Sequence, residues 1–348
     1  MIKIKFLDLF AGIGGFRSGL EMAGHECVGF VEIDKFARKS YRAIYDTEGE
    51  WTAHDIRKID TTKLPEADIW TFGFPCQDIS VAGKQKGFAG ERSSLFFAVT
   101  GKLRQLEDEQ KPSYLFIENV KNLLSINGGR DFGKLQIELD EIGYDVEWDV
   151  LDTAEVLPQH RERVYIVGHF RGRRTRNVFP ITGKSGSIDT PKQKIIRVFD
   201  GRNTGTYGSQ DVVSPDGIAG TLNTMGGGNR EPKIAIREAT KQGYMNAVAG
   251  DSVNFTQPNS NTRRGRVGSQ RANTLETSLS QGVVVPVTEQ LRIRKLTPRE
   301  CWRLQGFTDE QFYKAQAVNS NSQLYKQAGN SVSVPVVYAV AKHLKINA

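Results

Sequence analysis

Short apolar runs alternate with stretches of helical periodicity over the first 170 residues of the chain. This alternation constrains the fold, because it is typical of strands joined by crossover helices and hence of a mostly parallel sheet covered on both faces. The runs that we interpret as strands cover residues 4–10, 26–32, 68–73, 114–118, 144–151 and 164–169. The helical patterns cover residues 16–22, 35–45, 94–108 and 132–142, and Asp131 and Gly143 are expected to cap the last of them. The sequence therefore predicts a doubly wound α/β fold.

Glycine becomes frequent after about residue 180, and 15 of the 35 glycines lie between residues 181 and 290 among many Asn, Ser and Thr. This composition favours a smaller, loop-rich β domain, with weak strand candidates at residues 195–199, 233–236 and 282–287. Helical signals return later: Thr297, Pro298 and Glu300 form a capping-box helix start, and residues 334–344 are typical of an apolar helix. We expect a first domain of residues 1–180, a second of residues 181–290, and a return segment of residues 291–348 whose last helix packs on the first domain.

Cysteine usage and hydropathy exclude several classes of protein. Cys27, Cys76 and Cys301 lie far apart without a Cys-x-x-Cys spacing, so we expect neither a zinc site nor a disulfide framework. The amino terminus has no signal-peptide core, and no segment approaches the roughly 20 apolar residues of a membrane span. The sequence therefore predicts a soluble intracellular protein.

The chain is moderately basic, and the placement of the charge matters more than the net value of +7. Residues 161–190 hold seven Lys and Arg against two Asp and Glu. A basic segment of this kind fits a phosphate backbone. A solvated linker with an ordinary charge distribution is the alternative, and the charge alone does not separate the two.

A cysteine stands directly after a proline where the apolar run of residues 69–72 stops. Pro75 lacks an N–H and fixes its own φ, so it cannot continue a central strand, and the chain must turn out as it delivers Cys76. Sites of open α/β sheets form at this edge, outside the carboxyl ends of the strands. Glu118, at the end of another predicted strand, reaches the same edge. The pattern favours a nucleophile beside a carboxylate, although a free cysteine is often only a small buried hydrophobe.

The first predicted strand runs into Ala11-Gly12-Ile13-Gly14-Gly15 and then a helix, where a nucleoside can approach the backbone closely. A dinucleotide fingerprint would require its third glycine at position 17, where this chain has Arg17. Glu32 follows Gly12 by 20 residues and is placed to accept hydrogen bonds from ribose hydroxyls. Asp55 follows a further candidate strand, which precedes the run at residues 68–73, and suits an exocyclic amine. Together these residues favour an adenosine-containing ligand without a pyrophosphate.

Gln159, Arg161 and Arg163 alternate along an extended segment and therefore share one face. Two guanidinium groups on that face could bind phosphate, orient Glu118 or contact a carbonyl. The residues by themselves leave these three roles open.

Taken in their order along the chain, the motifs resemble those of the C5 cytosine DNA methyltransferases of bacterial and phage modification systems. The resemblance extends over nearly the whole chain. Residues 8–16, 73–77 and 118–120 are similar to the cofactor loop, the nucleophile motif and the acid motif of that family. Gln159, Arg161 and Arg163 fit its Gln-x-Arg-x-Arg pattern. Residues 294–300 resemble the segment that organises its recognition domain, and residues 329–332 resemble its closing motif. The glycine-rich region falls where the family carries its variable target-recognition domain.

The resemblance implies the Rossmann-like fold of S-adenosylmethionine-dependent methyltransferases, with transfer of a methyl group from S-adenosylmethionine to carbon 5 of a flipped-out cytosine in duplex DNA. Cys76 would attack carbon 6, Glu118 would bond N3 and the 4-amino group, and Arg163 with Arg161 would hold the base and Glu118. The residues implied in cofactor binding are Phe10, Ala11, Gly12, Ile13, Gly15, Glu32, Ile33, Asp55, Ile56, Pro75, Leu95, Asn330 and Ser331. Those implied in DNA contact are Gln77, Lys84, Thr274 and Leu275. The family further implies a cytoplasmic monomer that needs no metal.

Several alternatives remain at this stage. The Thr-Leu pair that lies near the target base in the family has two candidates, and spacing to Arg294 favours Thr274-Leu275 over Thr221-Leu222. Methylation of RNA by the same fold is the runner-up function. A catalytically silent DNA-binding relative is disfavoured because Cys76 and Glu118 are both present, and an NAD-dependent oxidoreductase is disfavoured by Arg17.

Overall fold

The computed structural model of the protein describes residues 3–74, 95–181, 212–213, 233–256, 260, 262–277, 280–287 and 290–346. Within this part of the chain, seven strands form the main sheet in the order β3-β2-β1-β4-β5-β7-β6. The strands are β1 (Lys5–Leu9), β2 (Glu26–Val31), β3 (Trp51–Ala53), β4 (Ile69–Phe72), β5 (Tyr114–Val120), β6 (Tyr144–Asp152) and β7 (Glu162–Phe170). β7 is antiparallel to both of its neighbours, and the other strand pairs are parallel. The predicted mostly parallel sheet is confirmed.

Helices cover both faces of the main sheet, as a doubly wound fold requires. Successive residues of a strand point to opposite faces, so Leu7 packs towards one layer and Phe6 towards the other. α3 (Leu95–Leu103) and α4 (Arg130–Glu141) pack on the Leu7 face. α1 (Gly15–Met22) and the last helix pack on the Phe6 face, while α2 (Lys35–Ile44) joins a third core cluster.

Two local predictions in this domain were wrong. The helix predicted at residues 94–108 ends at Leu103, because the polar sequence that follows is hydrogen-bonded as i to i+3 turns. Asp131 does not cap α4: the helix begins one residue earlier, after Gly129 in the left-handed conformation, and the Asp131 carboxylate accepts a hydrogen bond from Asn127. Gly143, with a φ of 99°, does follow the end of the helix as expected.

Two small sheets follow the main sheet in sequence. The described strands of the first are β8 (Val212–Val213), β9 (Lys233–Arg237) and β10 (Tyr244–Ala247). Those of the second are β11 (Ser252–Asn254), β12 (Val267–Gly268), β13 (Gln281–Val287) and β14 (Gln290–Lys295). The candidates at residues 233–236 and 282–287 are confirmed as β9 and β13, whereas the candidate at residues 195–199 lies outside the described residues.

The return segment consists of α5 (Pro298–Leu304), α6 (Asp309–Gln316), α7 (Asn321–Asn330) and α8 (Val334–Ala341). The predicted capping box is present, since the Glu300 N–H donates to the Thr297 hydroxyl and the Glu300 carboxylate accepts from the Thr297 N–H. α8 packs against α1, where a Cβ on Gly19 would lie 2.5 Å from Val337 Cγ1. No helix among the described residues combines the length and apolar character needed to cross a membrane.

Candidate functional site

The register of two central strands brings the predicted acid next to the segment that leads to the predicted nucleophile. Phe72 pairs with Ile117, so the next residues, Gly73 and Glu118, are level at the carboxyl edge of β4 and β5. A Cβ on Gly73 would lie 3.3 Å from Glu118 Oε2. Cys76 follows Gly73 by three residues, but Cys76 and the candidates Pro75, Gln77 and Lys84 lie outside the described residues.

Glu118 is paired with an arginine from the neighbouring strand. Arg163 Nε lies 3.1 Å from Glu118 Oε1, and the side chains are only 14% and 12% exposed. In the antiparallel register Tyr165 is opposite Glu118 and Val120 is opposite Arg163. The acid and the arginine are therefore diagonal neighbours on one face, where long side chains meet.

Arg161 is 3% exposed and connects the sheet to the predicted closing motif. Its Nη2 donates to the backbone oxygen of Ser331 at 2.8 Å. Its backbone N–H donates to Asp152, which also accepts from His160 and the Ala154 N–H. Burial opposes ionisation of Asp152, but these hydrogen bonds outweigh it and lower its pKa. Asp152 was not among the predicted site residues, and its position at the end of a strand was the only signal for it in the sequence.

The predicted cofactor loop is strained and is held by a buried acid. Phe10 has a φ of 54°, a conformation that is unfavourable for a bulky residue and is found mostly at functional sites. Glu32, 8% exposed, accepts from the N–H of Gly12 at 2.8 Å and from the N–H of Asp34 at 2.7 Å. Burial raises the pKa of Glu32, and these two bonds act in the opposite direction. The carboxylate is thus fixed at the mouth of the loop before any ligand binds.

The beginning and the end of the chain meet at this loop. A Cβ on Gly15 would lie 2.7 Å from Ser331 Oγ, so only glycine permits this approach. Asn330, the exposed last residue of α7, is adjacent. Lys326, also on α7, forms an ion pair of 2.7 Å with Asp34. The structure therefore brings the predicted residues Gly12, Gly15, Glu32 and Ser331 together at one edge of the sheet.

The other candidate cofactor residues differ in exposure. Ile33 is 61% exposed directly after Glu32, and Leu95 is half-buried at the start of α3. Both carboxylate oxygens of Asp55 accept hydrogen bonds from Arg57. Val31 pairs with Ala53, so Ile33 and Asp55 leave neighbouring strands at the same edge. Three candidates are buried in the core: Ala11, Ile13 and Ile56.

Arg17, which interrupts the dinucleotide pattern, has a structural role that the sequence did not reveal. It is 5% exposed and forms ion pairs with Glu21 at 2.7 Å and with Glu50 at 2.8 Å. Its guanidinium carbon lies 4.5 Å from the centre of the Tyr45 ring. The side chain is therefore committed to holding α1 against the loop before β3.

The hypothesis that residues 161–190 form a phosphate-binding segment was wrong for several of its arginines. Arg161 is buried, Arg163 is half-buried and pairs with Glu118, and Arg171 forms ion pairs with Asp140 and Asp145. These acids belong to α4 and β6, so their proximity could not be seen from the local charge count. Residues 182–190 lie outside the described residues.

The Thr274-Leu275 pair lies beside the segment that carries the two arginines. The Leu275 N–H donates to Gln159 Oε1 at 3.1 Å, and the Thr274 hydroxyl donates to the backbone oxygen of His160 at 3.0 Å. Leu275 itself is 6% exposed. The competing pair, Thr221-Leu222, lies outside the described residues.

Comparison with known families gives a match over almost the whole chain. Residues 4–346 match the sequence model of the C-5 cytosine-specific DNA methylases. The orphan methyltransferase M.Rho11sI of Bacillus phage rho11s is 31% identical, with 99% of this chain and 98% of the relative covered. The type II methyltransferase M.SsoII of Shigella sonnei is 34% identical, with 98% and 80% covered. M.HhaI of Haemophilus parahaemolyticus is 31% identical, with 98% and 94% covered.

Solved structures agree with the fold. The methyltransferase EhMeth of Entamoeba histolytica superimposes with a TM-score of 0.58 at 17% identity, covering 99% of this chain and 98% of the other. The Dnmt2 methyltransferase of S. pombe gives a TM-score of 0.57 at 18% identity, with 98% of each chain covered. At these identities the likeness concerns the fold alone.

Proposed function

Because this chain belongs to the family of C-5 cytosine-specific DNA methylases, we propose that it methylates carbon 5 of a cytosine flipped out of a specific sequence in duplex DNA, with Cys76 as the covalent nucleophile. The observation that carries the proposal is the buried pair of Glu118 and Arg163, level with Gly73 at the carboxyl edge of the sheet. The loop held by Glu32 opens at the same edge.

The chemistry explains why these residue types are needed. Carbon 5 of cytosine is a poor nucleophile, so the Cys76 thiolate adds to carbon 6 and converts the ring to an enamine. Glu118 bonds N3 and the 4-amino group and stabilises the charge that develops on the ring. Arg163 keeps that carboxylate oriented. Carbon 5 then accepts the methyl group and loses its proton to a base, and the bond between sulfur and carbon 6 breaks, which restores both the aromatic ring and the thiolate.

The residues at the loop fit S-adenosylmethionine as the methyl donor. The Glu32 carboxylate, already fixed by two backbone N–H groups, has remaining lone pairs for ribose hydroxyls. Gly12 and Gly15 leave room for close approach to the backbone, and Ser331 closes the other side. When bound, S-adenosylmethionine supplies a methyl group on a sulfonium centre. We assign the exposed Ile33 to the adenine side of this site, together with Asp55.

Duplex DNA is the proposed partner. A target base must leave the stack for carbon 6 to be reached, at a free-energy cost of a few kcal/mol that contacts to the phosphates offset. Several basic side chains are exposed on and near the small sheets, namely Arg237, Lys241, Arg264 and Arg271. The acids nearby are mostly buried, as Glu238 and Asp251 show.

We further propose that the protein acts as a monomer in the cytoplasm of a bacterial cell.

The covalent step is tested with duplex DNA that carries 5-fluorocytosine. Fluorine cannot leave carbon 5 as a proton does, so the adduct with Cys76 should persist and shift the protein on a denaturing gel. Cys76→Ser should neither form the adduct nor transfer methyl groups. Cys301→Ala is the matched control, because burial raises the pKa of the Cys301 thiol to about 12 and makes it unreactive.

Substrate class and sequence context require a second experiment. Bisulfite sequencing of DNA from cells that express the protein should reveal methylated cytosines in one sequence context, and cells with Cys76→Ser should show none. Methyl incorporation into transfer RNA but not into DNA would reject the DNA assignment. Cys76→Ser that methylates as fast as the wild type would reject the nucleophile.

A further inference from the structure

Two glutamines are completely buried where three parts of the fold meet, and neither is needed by the chemistry proposed above. Gln159 and Gln305 are both 0% exposed. Gln159 Nε2 donates to the backbone oxygen of Leu304 at 2.8 Å. The same nitrogen lies 3.5 Å from Gln305 Oε1, at the outer limit for a hydrogen bond. Gln305 Nε2 donates to the backbone oxygen of Ala328 at 2.8 Å. The amides therefore connect the segment before β7 to α5 and, through Gln305, to the end of α7.

The other side of the Gln159 amide holds the Thr274-Leu275 segment. Gln159 Oε1 accepts from the Leu275 N–H at 3.1 Å. The backbones of Gln159 and Ala272 form an isolated parallel bridge, in which the His160 N–H donates to Ala272 at 2.7 Å and the Ala272 N–H donates to Pro158 at 2.8 Å. Residues 272–275 are thus attached to the segment that directly precedes Arg161 and β7.

Gly329, near the end of α7, makes a third contact with this segment. A Cβ on Gly329 would collide with the backbone oxygen of Glu276 and would lie 2.8 Å from the Thr277 nitrogen. Gly329 directly precedes Asn330 and Ser331, which we assign to the cofactor site. Residues 272–277 are therefore enclosed between the segment that precedes β7 and the residues that we assign to closing the cofactor loop.

A buried amide is a costly way to fill a core, because each unsatisfied polar group destabilises the fold by about as much as a lost hydrogen bond. Gln159 uses its donor and its acceptor on two different segments, and such directional bonds fix relative position where apolar packing would tolerate a shift. The Gln159 side chain forms no hydrogen bond with Glu118 or Arg163 among its contacts in the structure. Any effect on the reaction is therefore exerted through the Thr274-Leu275 segment that it holds.

We propose that Gln159 is a positioning residue for methyl transfer: it holds Thr274 and Leu275 in a fixed position relative to Arg161, Arg163 and the closing segment, so that bound DNA is presented to the site in register. This inference rests on the proposed methylation of duplex DNA. It assigns to Gln159, and secondarily to Gln305, an effect on DNA recognition without contact with the reacting atoms.

The test is Gln159→Met, which keeps the length of the side chain and removes both hydrogen bonds. We expect KM for cognate duplex DNA to rise about tenfold or more, as expected when a hydrogen bond that fixes a binding surface is lost. Discrimination against sites that differ by one base pair should fall in the same variant. The Kd for S-adenosylhomocysteine should stay within about twofold of wild type. A variant that only folds less well would contain fewer active molecules, which lowers the apparent kcat and leaves both binding constants unchanged.

Two further variants keep the test decisive. Gln136→Met places the same substitution on a half-buried position of α4, far from the segment in the fold, and should leave KM unchanged. Gln305→Met removes the hydrogen bond to Ala328 and the long contact with Gln159 but leaves the bond between Gln159 and Leu275 in place. It should raise KM in the same direction, and it decides the matter if Gln159→Met does not fold. Unchanged KM and unchanged discrimination in the folded variants would overturn the inference. Wild-type protein that methylates no duplex DNA would instead overturn the proposed function.

Discussion

Arg163 Nε lies 3.1 Å from Glu118 Oε1 across an antiparallel strand pair, and both side chains are largely shielded from solvent. Solvent-exposed ion pairs contribute little, whereas charges shielded from water interact more strongly. The pairing of β5 with β7 brings the two residues together, because Glu118 lies near the carboxyl end of β5 and Arg163 lies near the start of the antiparallel strand β7. Arg163 therefore supplies a counter-charge beside the acid before substrate binds.

The first prediction concerns Glu118→Gln. An amide cannot pass a proton to N3 when the thiolate adds to carbon 6 and negative charge enters the ring, so we expect the rate of methyl transfer to fall about 100-fold or more. Single-turnover methyl transfer to a cognate duplex, with cofactor and DNA at saturation, measures this change. Glu162→Gln is the control, because Glu162 lies on the neighbouring strand β7 and pairs with Lys121 at the surface. Equal rates for Glu118→Gln and Glu162→Gln would exclude Glu118 from catalysis.

The second prediction concerns Glu32→Ala. Removing the carboxylate deprives the Gly12 and Asp34 N–H groups of their acceptor and removes the proposed ribose contact. We expect S-adenosylmethionine to bind about tenfold or more weakly in equilibrium dialysis. Glu26→Gln changes an exposed carboxylate at the opposite end of β2, where it pairs with Lys3, and should bind normally. Wild-type affinity in Glu32→Ala would show that the ligand site is elsewhere.

The residues at the sheet edge could be predicted from sequence because parallel strands place their carboxyl ends together. The positions of Gly12, Glu32 and Glu118 follow from the ends of apolar runs and need no knowledge of distant contacts. The boundaries of the six strands predicted for the main sheet were accordingly correct to within about two residues, although β5 continues to Val120. The bounds of β3 were not predicted. Resemblance to a family supplied the roles of these residues, and the geometry supplied their contacts.

The connections between distant segments could not be predicted. Gln159 finds its partners 116 and 145 residues later in the chain, and no local pattern indicates them. Arg17 was visible only as a missing glycine, since its partner Glu50 lies in a different loop. Arg171 was counted as a free charge for the same reason. Long-range polar contacts depend on packing, which single-sequence periodicity does not contain.

The third prediction contrasts two glycines in helices. Gly329→Ala would push a methyl group into the Glu276 backbone, which is less able to move than a side-chain tip. We expect the free energy of unfolding to fall by about 1–3 kcal/mol, as for other overpacking changes. Gly133→Ala, on α4, meets nothing within 4 Å and should stabilise the protein by about 0.5–1 kcal/mol through helix propensity. Denaturant unfolding of both variants measures the difference, and a stable Gly329→Ala would refute the close contact.

The fourth prediction concerns Asp8, which is 0% exposed and accepts hydrogen bonds from Thr71 and Tyr41. Burial raises the pKa of Asp8 to about 7, against the hydrogen bond from Thr71 and the nearby charge of Arg17. Because this pKa is higher in the folded than in the unfolded chain, the folded state binds the proton more tightly between about pH 4 and pH 7. The contribution of Asp8 to stability is thus fully present at low pH and is lost as the pH rises through 7.

Asp8→Asn removes this titration while keeping a side chain of the same size. The wild type should therefore lose stability relative to Asp8→Asn as the pH rises from 4 to 8, by roughly 4 kcal/mol at most, since each pKa unit corresponds to about 1.4 kcal/mol. Urea unfolding of both proteins at several pH values in this range measures the difference, and the comparison cancels titrations that the two share. Parallel pH dependence in both proteins would mean that Asp8 is ionised in the folded state, and that Arg17 and the two hydroxyl donors compensate fully for its burial.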